Sequence, residues 1–248
     1  MKKIRLHQYL SKTAQFKSKQ SILDAVRNGE IKIESKVINN SGFQFHSSKT
    51  VFYKGKKLSL ITDKTYLILN KPAGYLSSKL TSADEKLGKK SVFSLLRGID
   101  TNIIKTLFCV GRLDEDTSGL LIITNDGNLS HKIINPKFKI EKEYLAELEK
   151  EVSAKDKEKL EHGVKIQLEE NGKISPHQTL PCKIKIINPK KVKIILQEGK
   201  KREVRRMLEA VENKVLNLER IALGKLNLNG IKESEFKIVS KEYILENI

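Results

Sequence analysis

Cysteine is scarce in this chain: two among 248 residues, Cys109 and Cys182, both in apolar company and without Cys-x-x-Cys spacing. Such thiols read as buried side chains rather than bridges or metal ligands, which suits a reducing setting. No apolar run approaches the ~20 residues that a membrane span requires, so no membrane partner is expected. The opening residues, Met1 to His7, lack the continuous apolar stretch of a secretory leader, and a cytoplasmic protein is the expectation. The five histidines are scattered without metal-binding spacing. Missing too are a Gly-x-x-x-x-Gly-Lys-Ser/Thr loop, a Gly-x-Gly-x-x-Gly turn, a His-Glu-x-x-His pair and a Gly-x-Ser-x-Gly elbow. These absences argue against nucleotide hydrolysis, redox work and zinc chemistry, and no cofactor or metal is expected.

Acidic residues are also in deficit. Lys and Arg number 48 against 30 Asp and Glu, a net charge of +18, and such a surface attracts polyanions from a distance. The excess is uneven: residues 1–60 carry a net +10 and the other 188 a net +8. Lysine bias across a whole genome would inflate the charge everywhere, whereas concentration at one end is what a docking module would show.

Two units are expected, 1–60 and 61–248, joined by a polar stretch around Leu58 to Lys64. In the first, Arg5 to Lys12 reads as a short helix with Leu6, Tyr9 and Leu10 on one side. Ser18 caps a second helix carrying Ile22, Ala25 and Val26, and Gly29 ends it. Alternating pieces at Ile31–Ile33, Val37–Ile38 and Val51–Tyr53 suit a small sheet. Lys17, Lys19 and Lys32 lie around these elements as candidate polyanion contacts. The larger unit reads as strands at Tyr66–Leu69, Leu107–Val110, Leu120–Thr124, Tyr144–Leu148, Cys182–Ile187 and Lys193–Leu196. Helices are expected at Ser91–Leu96, Asn128–Ile134, Ser153–Glu161 and Glu203–Val211. Several strands follow one another without a crossover helix, so the class is α+β with a mixed, largely antiparallel sheet and flanking helices.

Three stretches carry candidate chemistry. In Gly111-Arg112-Leu113-Asp114-Glu115-Asp116-Thr117-Ser118-Gly119, Asp114 stands between an arginine and a small-residue turn, just before a buried strand. A catalytic acid needs that combination of rigid support and open space. Tyr144 opens a strand and offers a flat face on which a base can stack. Glu198 to Leu208 places five basic residues, Lys200, Lys201, Arg202, Arg205 and Arg206, at the start of a helix whose buried side is Val204, Met207, Leu208 and Val211. Each also has a plainer reading: an acidic loop, a half-buried strand tyrosine and a solvated basic face.

Together these stretches resemble one group of bacterial ribosomal RNA pseudouridine synthases, which comprises type A (small subunit) and types B, E and F (large subunit). Asn70-Lys71-Pro72-Ala73-Gly74 is similar to that group's opening motif, Gly111 to Gly127 to its catalytic motif, Lys142-Glu143-Tyr144 to its second and Glu198 to Met207 to its third. Leu218 to Gly224 resembles the segment that follows. Glu203 makes the third motif most like that of type B. The N-terminal residues Ser18-Lys19-Gln20 and Gly29 to Ser35 resemble the S-four-like RNA-binding module, with its Arg-Arg pair reduced to Lys-Gln and its Asn-Gly turn lost.

The resemblance implies a pseudouridine synthase fold behind an S-four-like domain, and isomerisation of a uridine flipped out of RNA. It implies Asp114 as the essential carboxylate, acting as a nucleophile or as a base. It also implies Arg205 paired with Asp114, Tyr144 stacked on the uracil, and Arg112 filling the gap left by the base. The implied partner is ribosomal RNA, from the large subunit in the type B reading, or a ribosome assembly intermediate, met by a monomer. A non-catalytic ribosome-assembly or RNA-chaperone protein on the same fold is the alternative.

Overall fold

A computed structural model describes residues 3–16, 18–170 and 172–248. Near the N-terminus the helices Leu6–Leu10 and Lys19–Arg27 pack on a four-stranded sheet built from Ile31–Ile33, Lys36–Val37, Val51–Tyr53 and Lys56–Lys57. Ser18 caps the second helix by accepting a hydrogen bond from the Ser21 amide at 3.1 Å. Alternation in Ile31-Lys32-Ile33 buries both isoleucines and leaves Lys32 exposed. Leu6, Leu10, Val26, Ile31 and Val51 close a core of their own, with Tyr9 tilted against Phe45. A strand pair, Lys3–Arg5 with Gln44–His46, adds to what the sequence pattern indicates.

The rest of the chain is organised by one nine-stranded sheet. Its main path runs Lys183–Asn188, Lys191–Leu196, Lys142–Leu148, Val215–Leu223, Thr117–Thr124, Tyr66–Lys71 and Phe236–Ile238. All neighbours on that path are antiparallel except Thr117–Thr124 with Val215–Leu223, which run parallel. Thr117-Ser118-Gly119, read from sequence as a turn, already belongs to the central strand. Pairing on both sides draws it in: Gly119 lies opposite Lys71 on one neighbour and Arg220 on the other. The Ser91–Leu96 helix is instead a short 3-10 turn, Val92–Leu95. The hairpin Lys165–Glu170 with Lys173–Gln178 is a separate two-stranded sheet whose Ile166 and Leu168 are buried.

Strand alternation divides the apolar residues between the faces. On one face Tyr66, Ile68, Leu120 and Ile122 pack with Leu129, Ile133 and Ile244 from the helices Gly127–Ile134 and Lys241–Asn247. Leu67, Leu69, Leu121 and Ile123 point the other way into a second cluster with Val92, Leu107 and Leu113. Ala146, Leu148, Ile194 and Leu218 form a third with Val204, Met207 and Leu208 of the helix Glu203–Glu209. Tyr144 packs against both the second and the third, so it marks their seam.

Asp126 ties the C-terminal helix to the sheet. It caps Gly127–Ile134 through the Asn128 amide and receives the Tyr66 hydroxyl at 3.0 Å and the Lys241 ammonium at 2.9 Å. Burial pushes its carboxyl upward, but these donors outweigh that and hold it down at about 2. A carboxylate with a depressed folded pKa adds stability above its unfolded value, and that stability is lost as pH falls through the folded one. Asp126→Asn is therefore expected to cost ~2 kcal/mol at pH 7 in urea denaturation, with the difference from wild type shrinking as pH falls towards about 2.

Candidate active site

Asp114 sits in the tight turn that enters the central strand, where the Thr117 amide closes back on the Asp114 carbonyl at 3.1 Å. The backbone of this loop is fastened from several sides. Lys71 ends the neighbouring strand fully buried, and its ammonium reaches the carbonyls of Thr117 at 2.7 Å, Pro72 at 3.0 Å, Asp114 at 3.1 Å and Glu115 at 3.2 Å. Three N–H protons face four acceptors, so one is shared. The Gly74 amide donates to the Glu115 carbonyl at 2.7 Å. Ser77 accepts from the Leu113 amide and donates to the Leu113 carbonyl.

The side chains of the two following acids add to the fastening. Glu115 pairs with Lys89 at 2.7 Å. Asp116 pairs with Arg205 at 3.1 Å and, more loosely, with Arg202 at 3.4 Å. Arg205 is buried, and it also donates to the carbonyls of Asp116 at 3.0 Å and Val215 at 3.1 Å. The expected Arg205–Asp114 ion pair is thus replaced by an Arg205–Asp116 pair. The helix bearing Arg205 packs between strand Val215–Leu223 and the loop, and from there the guanidinium meets Asp116. Arg202 enters that helix at φ 54°, a left-handed conformation that a non-glycine residue adopts at a cost. Among the described residues no hydrogen bond or ion pair engages the Asp114 carboxylate.

The sheet register brings further residues to this place. Lys71, Gly119, Arg220 and Tyr144 lie opposite one another on four adjacent strands, in one row across the sheet. Gly119 has φ +101°, and a Cβ there would meet the Arg220 backbone, 2.8 Å from its nitrogen. Only glycine allows the two strands to close at this point. The strand bearing Tyr144 is irregular between Glu143 and Tyr144, a feature that re-aims a side chain. Tyr144 is half-buried beside Arg220, whose Nε donates to the Leu120 carbonyl at 2.8 Å. Four buried side-chain atoms lack a hydrogen-bond partner among the described residues: Thr117 Oγ1, Glu203 Oε1, Arg205 Nε and Arg220 Nη2. All four belong to this loop, the helix against it or the strand beside it. Unsatisfied buried groups are rare, and their gathering here marks the region as specialised.

The remaining candidates scatter. Arg112 and Lys19 are exposed and line a cleft of about 1750 Å³ between the N-terminal unit and the sheet, along with Lys3, Lys12, Lys79 and Lys105. Asp114 is not among the residues lining that cleft. Lys32 is exposed on the small sheet, and Lys17 lies outside the described residues. Lys200 is exposed, Lys201 pairs with Glu169 at 3.2 Å, and half-buried Arg206 donates to the Lys201 carbonyl. Among the described residues no group of three His, Cys, Asp or Glu is placed to hold a metal ion. Lys71, Asp116 and Arg220 were not singled out from the sequence. The signals available were the Asn-Lys-Pro stretch and a lone arginine in an otherwise apolar segment.

Burial pushes the Lys71 ammonium down to about 8, against the pull of Asp116, Asp114 and Glu115, so it is still charged at neutral pH. Lys71→Met keeps the bulk but leaves four carbonyls without their donor. A loss of about 2–4 kcal/mol is expected in urea denaturation, with faster proteolysis within residues 113–117.

The family model for RNA pseudouridylate synthase matches residues 65–210. An uncharacterized RNA pseudouridine synthase of Aquifex aeolicus is 33% identical over 98% of this chain and 95% of its own length. Ribosomal large subunit pseudouridine synthase B of Bacillus subtilis is 32% identical over 86% of this chain and 83% of its own. Ribosomal small subunit pseudouridine synthase A of Escherichia coli is 30% identical, covering 88% and 89%. A crystal structure of a pseudouridylate synthase superposes with a TM-score of 0.67 at 25% identity, over 99% of this chain and all of that one. The fold and these likenesses agree: the chain belongs to the RNA pseudouridine synthases, enzymes that isomerise uridine, in the group that holds the ribosomal types A and B.

Proposed function

We propose that this chain converts one uridine of ribosomal RNA, in the large subunit, to pseudouridine, with Asp114 as the essential carboxylate. The observation that carries this reading is the contrast within the acidic triplet. Glu115 and Asp116 are engaged by cations, while the Asp114 backbone is pinned and its carboxylate is left without a partner among the described residues. A rigid backbone under an uncommitted charge is what a group waiting for substrate needs. Relatives named for the ribosome's two subunits support ribosomal RNA as the substrate, and likeness to type B supports the large one.

The chemistry is an internal transfer. The bond from the ribose to N1 breaks, the base turns, a bond to carbon 5 forms, and the proton displaced from carbon 5 is balanced by one gained at N1. Asp114 acts at the sugar or the base as nucleophile or base. Tyr144, at the seam of two apolar clusters, stacks on the uracil and excludes water. Arg205 acts through Asp116, fixing the loop, instead of pairing with Asp114 directly. Residues 1–60 serve as the RNA-binding unit in front of a catalytic unit, 61–248. The basic cleft between them, with Lys19 and Arg112 in its wall, tracks the phosphate backbone. Lys32, Lys200, Lys201, Arg202 and Arg206 extend that contact, in a cytoplasmic monomer acting on ribosomal RNA or an assembly intermediate.

Asp114→Asn is expected to abolish pseudouridine formation, read as loss of carbodiimide-dependent stops in primer extension. RNA affinity should stay within several-fold, and stability within about 0.5 kcal/mol, as for a side chain without packing duties. Loss of binding along with activity would make Asp114 structural. No new stop with the wild-type protein would favour a non-catalytic assembly or chaperone role.

A further inference from the structure

Beneath the helix that carries Arg205 lies a pair of carboxyl groups that no step of the reaction uses. Glu203, in the first turn of Glu203–Glu209, is 4% exposed. Its Oε2 accepts the Lys200 amide at 2.8 Å. Its Oε1 is sealed from solvent and has no donor among the described residues, and the carboxyl groups of Glu203 and Glu198 interact. Glu198 is engaged at both oxygens, with lone pairs left to accept more. Its Oε1 takes the Leu180 amide at 2.6 Å, and its Oε2 lies 3.1 Å from His177 Nε2 on the Lys165–Gln178 hairpin. Two carboxylates cannot hydrogen-bond each other unless one carries a proton. Glu198 has a partner on each oxygen, whereas Glu203 has one on Oε2 alone, the Lys200 amide.

We propose that Glu203 is a positioning residue that works as a neutral carboxylic acid, its proton bridging Oε1 to Glu198 and so locking the helix that aims Arg205 at the Asp114 loop. The bridge joins three elements: the hairpin through His177, the Glu198–Lys200 segment, and the helix. Two residues beyond Glu203, Arg205 grips Asp116 and the Val215 carbonyl. Loss of the proton would set two like charges against each other in a buried site and loosen that grip.

The groups around Glu203 fix the direction of the pH effect. Burial, first, and then Glu198 push its carboxyl up to about 8. The Lys200 amide and the half-buried Lys142 ammonium, itself near Arg220, pull the other way. Cys182 also faces it, and burial holds that thiol up at about 12, so it stays neutral beside Glu203. Because the folded value lies above the unfolded one, the contribution to stability is complete in acid and is lost as pH rises to about 8.

The functional half of this inference rests on the proposed isomerisation with Asp114; the proton itself can be read without substrate. Infrared difference spectra of the full-length protein, wild type and Glu203→Gln, should show a protonated-carboxyl band at pH 7 that fades around pH 8 and is missing from the variant. Turnover on ribosomal RNA supplies the second readout. Gln can donate and accept like the neutral acid, so Glu203→Gln should keep kcat within about threefold at pH 7, whereas Glu203→Ala should lose about tenfold or more. The ratio of Glu203→Gln to wild-type kcat should climb about tenfold per pH unit above 8, and the titration of Lys71 cancels in that ratio. No such band at pH 7, or a ratio flat to pH 9.5, would overturn the proposal. If the wild type modified no RNA but the band titrated as expected, the functional reading alone would fall.

Discussion

The ammonium of Lys71, sealed inside the protein, meets four carbonyl oxygens at 2.7–3.2 Å, three of them from the stretch Asp114 to Thr117. A loop at the mouth of a sheet has few ways to be rigid, since its backbone groups turn away from the strand ladders that would pair them. Here a cation brought by the adjacent strand substitutes for a ladder. The cost is desolvation of a lysine, and it shows in an ammonium pushed down to about 8. What is gained is a fixed Asp114 backbone with its carboxylate left uncommitted.

The sheet makes this arrangement possible by register. Lys71, Gly119, Arg220 and Tyr144 share one row across four strands, so the clamp, the close strand contact, the buried guanidinium and the tyrosine come from four distant parts of the chain. Gly119 is the point of closest approach, where any side chain would force the two central strands apart. From the other side, Arg205 holds the loop through Asp116, and the Glu203–Glu198 pair holds the helix of Arg205. The acid is therefore braced from both flanks, by one buried cation from the sheet and another from a helix.

Much of the scaffold was legible in local pattern. The helices Leu6–Leu10 and Lys19–Arg27 announce themselves by apolar spacing, and Ala154–His162 by its Ser153–Asp156 capping box and the Gly163 stop. The strands Tyr66–Lys71 and Lys191–Leu196 do so by apolar runs, and Lys142–Leu148 by the alternation of Tyr144, Ala146 and Leu148. Central strand Val215–Leu223 escaped detection because Asn217, Glu219 and Arg220 break its alternation, and Arg220 is buried with its Nε on the Leu120 carbonyl. Lys71 looks like an ordinary polar strand end, since four carbonyls converging on one ammonium come from a fold and not from neighbours in sequence. For the same reason Glu115 and Asp116 read as idle loop acids, whereas pairing with Lys89 and Arg205 makes them fasteners. The likeness to a known family named Asp114, Tyr144 and Arg205; which acid Arg205 meets was decided by three-dimensional packing.

The loop bearing Asp114 should be as rigid as the sheet behind it, a property that amide hydrogen exchange at Thr117 and Leu113 reads out. Thr117 donates to the Asp114 carbonyl and Leu113 to the Ser77 hydroxyl, so both amides should exchange only with the opening of the sheet, at rates close to those of Leu121 and Ile122. Exchange orders of magnitude faster than at those strand positions, at neutral pH with Lys71 charged, would mean that the Lys71 clamp does not hold the loop.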